Sequence, residues 1–324
     1  MTTDNNQFEI PRYRWRLLRA GPILLDGGGM FGLIPRVVWT RAMPPDDANR
    51  IRLSHNCLLL ERDGKLTIIE TGSGNKLGPK MRKIFGLSDY WLGNALREAG
   101  CAPEAVENVI VTHLHFDHAG GLTRAALPDE VPDWIRPADG SDDAPRVMRS
   151  FPNARIIAQR QEWEDALVNR SVMTRTYYRD HLEPIRDQLK LIDSPPPFPM
   201  GHLPNRDELP RTSVIDRQTE VLPGIFVFLT PGHTWGQQAV RFVDERGRNV
   251  VFVPDVMPTA HHLGPAYNLA YDVEPYTSMC TRHWLLEEAV GNDWLLVLNH
   301  EPVNPLQRVR RDDRGWYALL PEED

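Results

Sequence analysis

Residues 112–121 read THLHFDHAGG, so four side chains able to bind a metal, His113, His115, Asp117 and His118, crowd together in a chain with only 11 histidines among 324 residues. Imidazole and carboxylate donors at this density suit borderline divalent ions such as zinc. One short segment supplies too few donors for a pair of ions, so further ligands are expected elsewhere. His233 in FLTPGHTWG, Asp255 in VVFVPDVMP and His300 in LLVLNHEP each follow a short apolar run and precede turn residues. Two cations about 3.5–4 Å apart repel one another and need an anionic bridge. A water they share loses its proton easily and becomes a nucleophile near neutral pH, while the ions polarise the carbonyl or phosphoryl oxygen under attack.

The elements around these residues explain how distant segments could meet. NVIVTH, residues 108–113, is short and nearly all apolar, as expected of a strand buried on both faces. The clustered motif therefore lies at a strand's carboxyl end, where side chains of α/β folds converge in a crevice. IFVFLT, QQAVRFV, NVVFVP and WLLVLN read as further strands, and RQEWEDALVN and EPYTSMCTRHWLLEEAV as helices. LKLID is another strand. Nearer the N-terminus, a glycine turn is expected in ILLDGGGMFGLIP. A hairpin is expected at Asp63-Gly64 between NCLLLER and KLTIIE, because a type I′ turn takes positive φ at both central residues. SDYWLGNALREAG reads as a helix with Ser88 as N-cap and Gly100 as its stop. Strands and helices recur in both halves, which predicts two βα-type halves packed face to face. Residues 1–22 are expected to be an N-terminal arm and 23–324 a single domain. Two Pro- and Asp-rich stretches, 127–146 and 194–211, lack apolar periodicity and read as loop insertions.

Composition narrows the function. With 41% hydrophobic and 25% charged residues the chain belongs with globular proteins, and its net charge of −7 disfavours nucleic-acid binding, which wants clustered Lys and Arg. Cys57, Cys101 and Cys280 are scattered and odd in number, which suggests neither a disulfide framework nor a Cys-based metal knuckle. The first twenty residues lack the apolar core of a secretory signal, and no run of about 18 apolar residues follows that could span a bilayer. A cytoplasmic protein without membrane association is the expectation.

With these residues in this order, the chain resembles the metallo-β-lactamase superfamily, whose HxHxDH pattern stands here as His113, His115, Asp117 and His118. The likeness runs from Leu24 to the C-terminus. It implies an α/β fold, a four-layer αββα sandwich with the site at one edge of the paired sheets. It also implies that His113, His115 and His233 hold a first metal, Asp117, His118 and His300 a second, and that Asp255 bridges the two. Asp117 is further placed to orient the attacking hydroxide and pass a proton to the leaving group. Glu70, in TIIETGSG, occupies the place where relatives commonly carry Asp to orient a ligand histidine. Asp255 stands where true class B β-lactamases usually carry Cys, which disfavours antibiotic hydrolysis.

The flanks DGGGMFGLIPRVVW and PDVMPTAHHLGPAYNLAYDVEPYT are similar to N-acyl homoserine lactone lactonases and the neighbouring methyl parathion hydrolase-like enzymes. Lactonases of that group often place a Tyr three residues after the bridging Asp. Pro258 stands there in this chain, and Tyr267 or Tyr271 is the candidate to substitute. Met30 and Phe31 are candidate walls of an apolar substrate site, and His261 and His262 candidate pocket residues. The expectation is a hydrolase with two divalent ions, zinc first, with manganese, iron and cobalt also suited to these ligands. Its small-molecule substrate would be a lactone, with an organophosphate or aryl ester as the alternative. A non-catalytic metal-binding scaffold is the alternative of another class. Analogy with relatives implies a homodimer.

Overall fold

A computed structural model describes residues 10–135, 146–172, 176–198 and 213–322. Sixteen strands and eight α-helices are found among these residues. The first half of the chain carries β1 (Arg12–Asp26), α1 (Gly27–Phe31), α2 (Arg36–Trp39), β2 (Arg50–Arg62), β3 (Lys65–Ile69), α3 (Pro79–Phe85), α4 (Leu92–Glu98), β4 (Val106–Ile110) and α5 (Phe116–Ala119). Next come β5 (Thr123–Ala125), β6 (Trp134–Ile135), β7 (Arg146–Arg149), β8 (Arg155–Gln159), α6 (Arg160–Leu167), α7 (Arg179–Leu182) and β9 (Leu189–Ile192). The second half carries β10 (Thr219–Leu222), β11 (Ile225–Leu229), β12 (Gln238–Asp244), β13 (Asn249–Val253), α8 (Pro275–Gly291), β14 (Leu295–Leu298), β15 (Leu306–Arg311) and β16 (Tyr317–Pro321).

Hydrogen-bonded neighbours run β16-β15-β14-β13-β12-β1-β2-β3-β4-β8-β9, with β11 also on β12 and β10 on β11. Strand β1 is the joint. Its first residues, Arg12 and Tyr13, pair in parallel with Val243 and Asp244 of β12. From Arg14 to Asp26 it pairs antiparallel with β2, with an irregularity between Arg19 and Pro22. The path on either side of this joint folds onto itself. Leu58, Leu60, Ile69, Ile110 and Ile157 from β2, β3, β4 and β8 form one cluster with Val227, Val240, Phe242, Phe252 and Val297 from β11 to β14.

Because successive side chains of a strand point to opposite faces, the residues between these go outward. Cys57, Leu59, Ile68, Val109 and Ile156 pack under α4 and α6 through Leu92, Leu96 and Trp163. On the far side, Phe228, Val251, Val253, Leu296 and Leu298 pack against Trp284, Leu285 and Ala289 of α8. Both faces of each sheet half are therefore buried, which is why these strands read as nearly continuous apolar runs rather than alternating ones. The result is the four-layer αββα sandwich of the sequence expectation. Among the described residues no helix is long and apolar enough to cross a membrane.

Several local expectations change. Strand β1 begins at Arg12, inside the segment expected to be an arm. Its opening RYRWRLL alternates exposed arginines with buried or half-buried Tyr13, Trp15 and Leu17, a period of two that a reading of overall polarity hides. The glycine turn is helix α1, whose N-cap Asp26 accepts a hydrogen bond from the Gly29 amide. Ser88 does not cap α4, which starts only at Leu92 after Trp91; the Ser88 hydroxyl instead accepts from the Tyr90 amide. The stretch 127–146 is not wholly loop, since Trp134–Ile135 pairs with β7, which also pairs with β5. Residues 136–145 and 199–211 of the two expected insertions lie outside the described residues.

The Asp63-Gly64 hairpin has the expected geometry, with φ of 52° and 76° and Arg62 paired with Lys65. Nothing surrounds Gly64 where a Cβ would be, so any cost of a side chain there comes from the left-handed backbone alone. Gly64→Ala should lower unfolding free energy by about 1 kcal/mol and leave metal content unchanged. An unshifted urea midpoint would contradict the left-handed turn.

Candidate metal centre

Parallel pairing brings the ends of β3, β4 and β8 to the same edge as the ends of β13 and β14. Each of these strands runs out into residues that face the gap between the sheets. His113 and His115 follow β4, Asp117 and His118 lie on α5, His233 follows β11, Asp255 follows β13 and His300 follows β14. All seven are buried.

Their donor atoms fall into three overlapping groups, His113 with His115 and His233, His113 with His118 and Asp255, and Asp117 with His118 and His300, each within 4.8 Å. Asp255 sits between the outer two. Its Oδ2 is 3.4 Å from His233 Nε2 and 3.6 Å from His118 Nε2, while its Oδ1 is 3.4 Å from His300 Nε2. Asp117 approaches the other side, with Oδ2 3.6 Å from His300 Nε2 and Oδ1 3.9 Å from His118 Nε2.

The chemistry of this donor set fits two cations. The Nδ1–H of His233 donates to Asp272 at 2.9 Å, which leaves Nε2 with a lone pair. That nitrogen lies 3.0 Å from His115 Nδ1, which is itself 3.1 Å from His113 Nε2. Burial, followed by the neighbouring imidazoles, lowers the pKa of both His113 and His115 well below the usual histidine range, so both are neutral. Three imidazole nitrogens face one point, where a proton serves only one or two of them, whereas a cation accepts all three lone pairs. At the other end, His118 Nε2 and His300 Nε2 are buried without a hydrogen-bond partner. Burial would raise the Asp255 pKa, but His300 and His118 hold the carboxyl well below the ordinary carboxylate range. It is therefore an anion at neutral pH, as a bridge between cations must be.

The far side of four of the five imidazoles is held by a specific partner, the Thr112 hydroxyl in the case of His113, while His115 Nε2 is buried without one among the described residues. Glu70 accepts from His118 Nδ1 at 2.8 Å with one oxygen and from the Thr112 amide with the other. The expected Glu-for-Asp departure thus still reaches the imidazole. Glu70 achieves this with a left-handed backbone, φ 68°. Burial lowers the pKa of His118, but Glu70, Asp255 and Asp117 together raise it well above the ordinary value. Likewise Asp272 and Asp255 outweigh burial at His233. His300 Nδ1 donates to the Ser54 carbonyl at 2.9 Å, and the Asn299 amide bonds Asp255. Gly121, the second glycine of the motif, packs so closely that a Cβ there would lie 2.2 Å from the Thr71 carbonyl oxygen.

Two positioning carboxylates had no visible mark in the sequence. Asp272 lies in a loop far from every strand end, and its other oxygen accepts from the Leu269 amide. Glu162 looks like one more polar residue of helix α6. It is fully buried and accepts from the Leu114 amide at 2.9 Å, the Thr234 hydroxyl and the Tyr177 hydroxyl. It thereby clamps the His113–His115 turn to the loop of His233.

A cavity of about 100 Å³ opens above the cluster. Leu25, Met30, Phe85 and Phe116 form apolar walls, Thr176 and Tyr271 add hydroxyls, and His115, Asp117, His233 and Asp255 reach its surface. Met30 and Tyr271 are thus brought to the site. Burial, followed by Asp26 and Asp117, raises the Tyr271 pKa, so its hydroxyl keeps its proton. The remaining pocket candidates are not at the cavity surface. Phe31 stacks between Trp39 and His262, at ring distances of 5.4 and 5.0 Å. His262 is buried and bonded to Met30 O and Thr259, so it supports the wall from behind. Tyr267 packs edge-on against Phe31, and His261 is exposed. The two histidines of the short turn capped by Thr259 diverge, one into the interior behind Met30 and the other into solvent.

A fold of two packed sheet halves with a His/Asp cluster at their common edge defines a class, and comparison with known proteins names it. The model of the metallo-beta-lactamase superfamily matches residues 50–267, and the chain belongs to that superfamily. An N-acyl homoserine lactonase of Bacillus thuringiensis subsp. kurstaki is 26% identical over 166 residues, 51% of this chain and 44% of the relative, so the match spans less than half of that protein. An N-acyl homoserine lactonase of Bacillus cereus is 27% identical over 227 residues, 65% of this chain and 67% of the relative. Among solved structures, a probable metal-dependent hydrolase from Staphylococcus aureus superposes with a TM-score of 0.75 at 23% identity, covering 98% of this chain and 99% of that one. A dizinc quorum-quenching lactonase superposes at 0.67 with 18% identity, covering 98% and 96%. At these identities the structural matches speak for the fold.

Removing the carboxylate behind a metal-binding imidazole typically weakens the metal about 10- to 100-fold. Asp272→Asn should therefore shift metal retention in a chelator titration by about that factor while the fold stays intact by circular dichroism. Retention equal to wild type would show that Asp272 does not orient His233.

Proposed function

We propose that this chain is a dinuclear metal-dependent hydrolase of ester-like bonds, with a lactone as its substrate. The observation that carries the reading is the meeting of seven buried donors from four separate chain segments at the floor of an apolar cavity. His113, His115 and His233 would hold one ion and Asp117, His118 and His300 the other, with Asp255 as the anion shared by both. Zinc is the ion of first choice, and manganese, iron or cobalt accepts the same donors. Ions held there would acidify a water and polarise the attacked carbonyl.

The chain's own residues supply the rest. Asp117 faces both the cluster and the cavity, so its carboxylate is placed to take a proton from the attacking water and return it to the leaving oxygen. The protonated Tyr271 hydroxyl donates to the substrate carbonyl, the task for which Pro258 has no donor. Leu25, Met30, Phe85 and Phe116 exclude water and favour a substrate with an apolar body. The lactonases among its relatives support the choice of a lactone. An aryl ester or organophosphate is the second reading, favoured by the stacked Phe85 and Phe116 rings, 4.7 Å apart, which offer an aromatic surface.

A pH-indicator assay of the metal-loaded protein with an acyl homoserine lactone, an aryl ester and a paraoxon-type triester tests this. Lactone turnover should dominate, and Asp255→Asn should reduce it by more than about 100-fold. Dominant triester turnover would favour the second reading, and two bound ions with no turnover of any substrate would favour a non-catalytic scaffold.

Tyr271 gives a separate test. A Cβ on Gly29 would lie 1.9 Å from the Tyr271 hydroxyl oxygen, so Gly29→Ala must push that hydroxyl away. Tyr271→Phe and Gly29→Ala should each lower kcat/KM about tenfold, the worth of one hydrogen bond near 1.4 kcal/mol, at unchanged metal content. Wild-type kcat/KM in Tyr271→Phe would remove the hydroxyl from the reaction.

A further inference from the structure

A second cavity, of about 250 Å³, lies away from the metal cluster, between α8, the loop at Leu263–Pro265 and the turn joining β15 to β16. Leu263, Met279 and Leu286 give it apolar surface, and Trp316, 66% exposed in the turn between β15 and β16, lines it as well. Arg282 and His283 lie between Met279 and Leu286 on the same face of α8, Arg311 joins them from β15, and no Asp or Glu is among the described lining residues. A basic cavity is notable in a chain of net charge −7.

Arg282 is the unusual member. The residue is 1% exposed, yet its described hydrogen bonds all go to neutral oxygens, the carbonyls of His262, Gly264 and Tyr267 and the Asn268 side chain. Its Nε has no partner. Burial lowers its pKa to about 10, and Asp272, the carboxylate that pulls against this, is already bonded to His233. A buried cation without a counter-ion is costly, and an anion brought beside it offsets that cost.

Arg311 stands at the mouth. Its guanidinium lies 4.7 Å over the Tyr317 ring, and it bonds the Gly315 carbonyl and the exposed Glu287 carboxylate. His283 and the Tyr317 hydroxyl face one another at 3.2 Å. Glu287 thus acts as a local carboxylate on the one cation of the cavity that solvent reaches freely, and an incoming carboxylate would compete with it.

We propose that this cavity binds a small organic carboxylate, its anionic head on Arg311 within the field of the buried Arg282 and its apolar body against Met279, Leu286 and Trp316. Guanidinium groups are the usual partners of carboxylates, the wall beyond them is apolar, and the volume suits a body of a few carbons rather than a polymer. The proposal does not depend on the reaction at the metal cluster.

Isothermal titration of the metal-loaded protein with hexanoate tests it, with 1-hexanol as the uncharged match. Because Arg282 holds the 262–268 segment and its loss threatens folding, the variants are Arg311→Gln, Trp316→Ala and Glu287→Gln, none of them near the metal cluster. Hexanoate should bind and hexanol should not. Arg311→Gln and Trp316→Ala should each weaken binding about tenfold or more, whereas Glu287→Gln should tighten it by freeing Arg311. No binding, equal binding of hexanol, or affinity indifferent to Arg311 and Trp316 would overturn the proposal, the last by placing hexanoate at the metals. A dimer that Trp316→Ala abolishes and hexanoate does not disturb would also overturn it, giving this face to a second copy of the chain.

Discussion

Five imidazoles and two carboxylates buried at one point repel, desolvate and compete with one another, and the rest of the molecule is arranged to keep them there. Each imidazole has one nitrogen turned inward, and four have the other held, His113 by the Thr112 hydroxyl, His118 by Glu70, His233 by Asp272 and His300 by the Ser54 carbonyl. A histidine anchored in this way cannot rotate to find a better partner, so its inward nitrogen stays available at the cost of an unsatisfied buried group. Cations at those inward nitrogens would offset that cost, and the proposed function follows from that balance.

The sandwich supplies the stiffness this requires. Parallel pairing of β3 with β4 and of β13 with β14 puts the ends of strands from both sheet halves at one edge, and the shared core of Leu60, Ile69, Ile110, Phe242 and Phe252 fixes the distance between the halves. Glu162 then ties the turn after β4 to the loop after β11 across that gap. Burial raises the Glu162 pKa, against the pull of its three donors, the Thr234 hydroxyl, the Leu114 amide and the Tyr177 hydroxyl. Chain segments more than 100 residues apart are thus held to hydrogen-bond precision at the site, as His115 and His233 show.

Much of this was legible in the sequence because the relevant signals are local. Polar residues directly after apolar strands marked His233, Asp255 and His300, and HxHxDH marked the rest. Asp63-Gly64 named its turn because only a narrow set of residues accepts two positive φ angles. What was not legible depends on partners distant in sequence. Asp272 and Glu162 look like any exposed acid until the fold brings His233 and the Leu114 amide to them. His261 and His262 looked alike, but only His262 finds a carbonyl, that of Met30, to bond in the interior. Strand β1 was hidden for another reason. Its arginines made it polar overall, although their alternation with Tyr13, Trp15 and Leu17 is the pattern of a half-buried strand.

The central claim is that the buried cluster is a two-ion centre. The most direct measurement is an anomalous-scattering crystal structure of the zinc-loaded protein, collected on both sides of the metal edge. The account predicts two peaks about 3.5–4 Å apart, one among His113, His115 and His233, the other among Asp117, His118 and His300, with Asp255 touching both. A map without metal at the cluster, or with the imidazoles bonded to one another and zinc bound elsewhere, would contradict it.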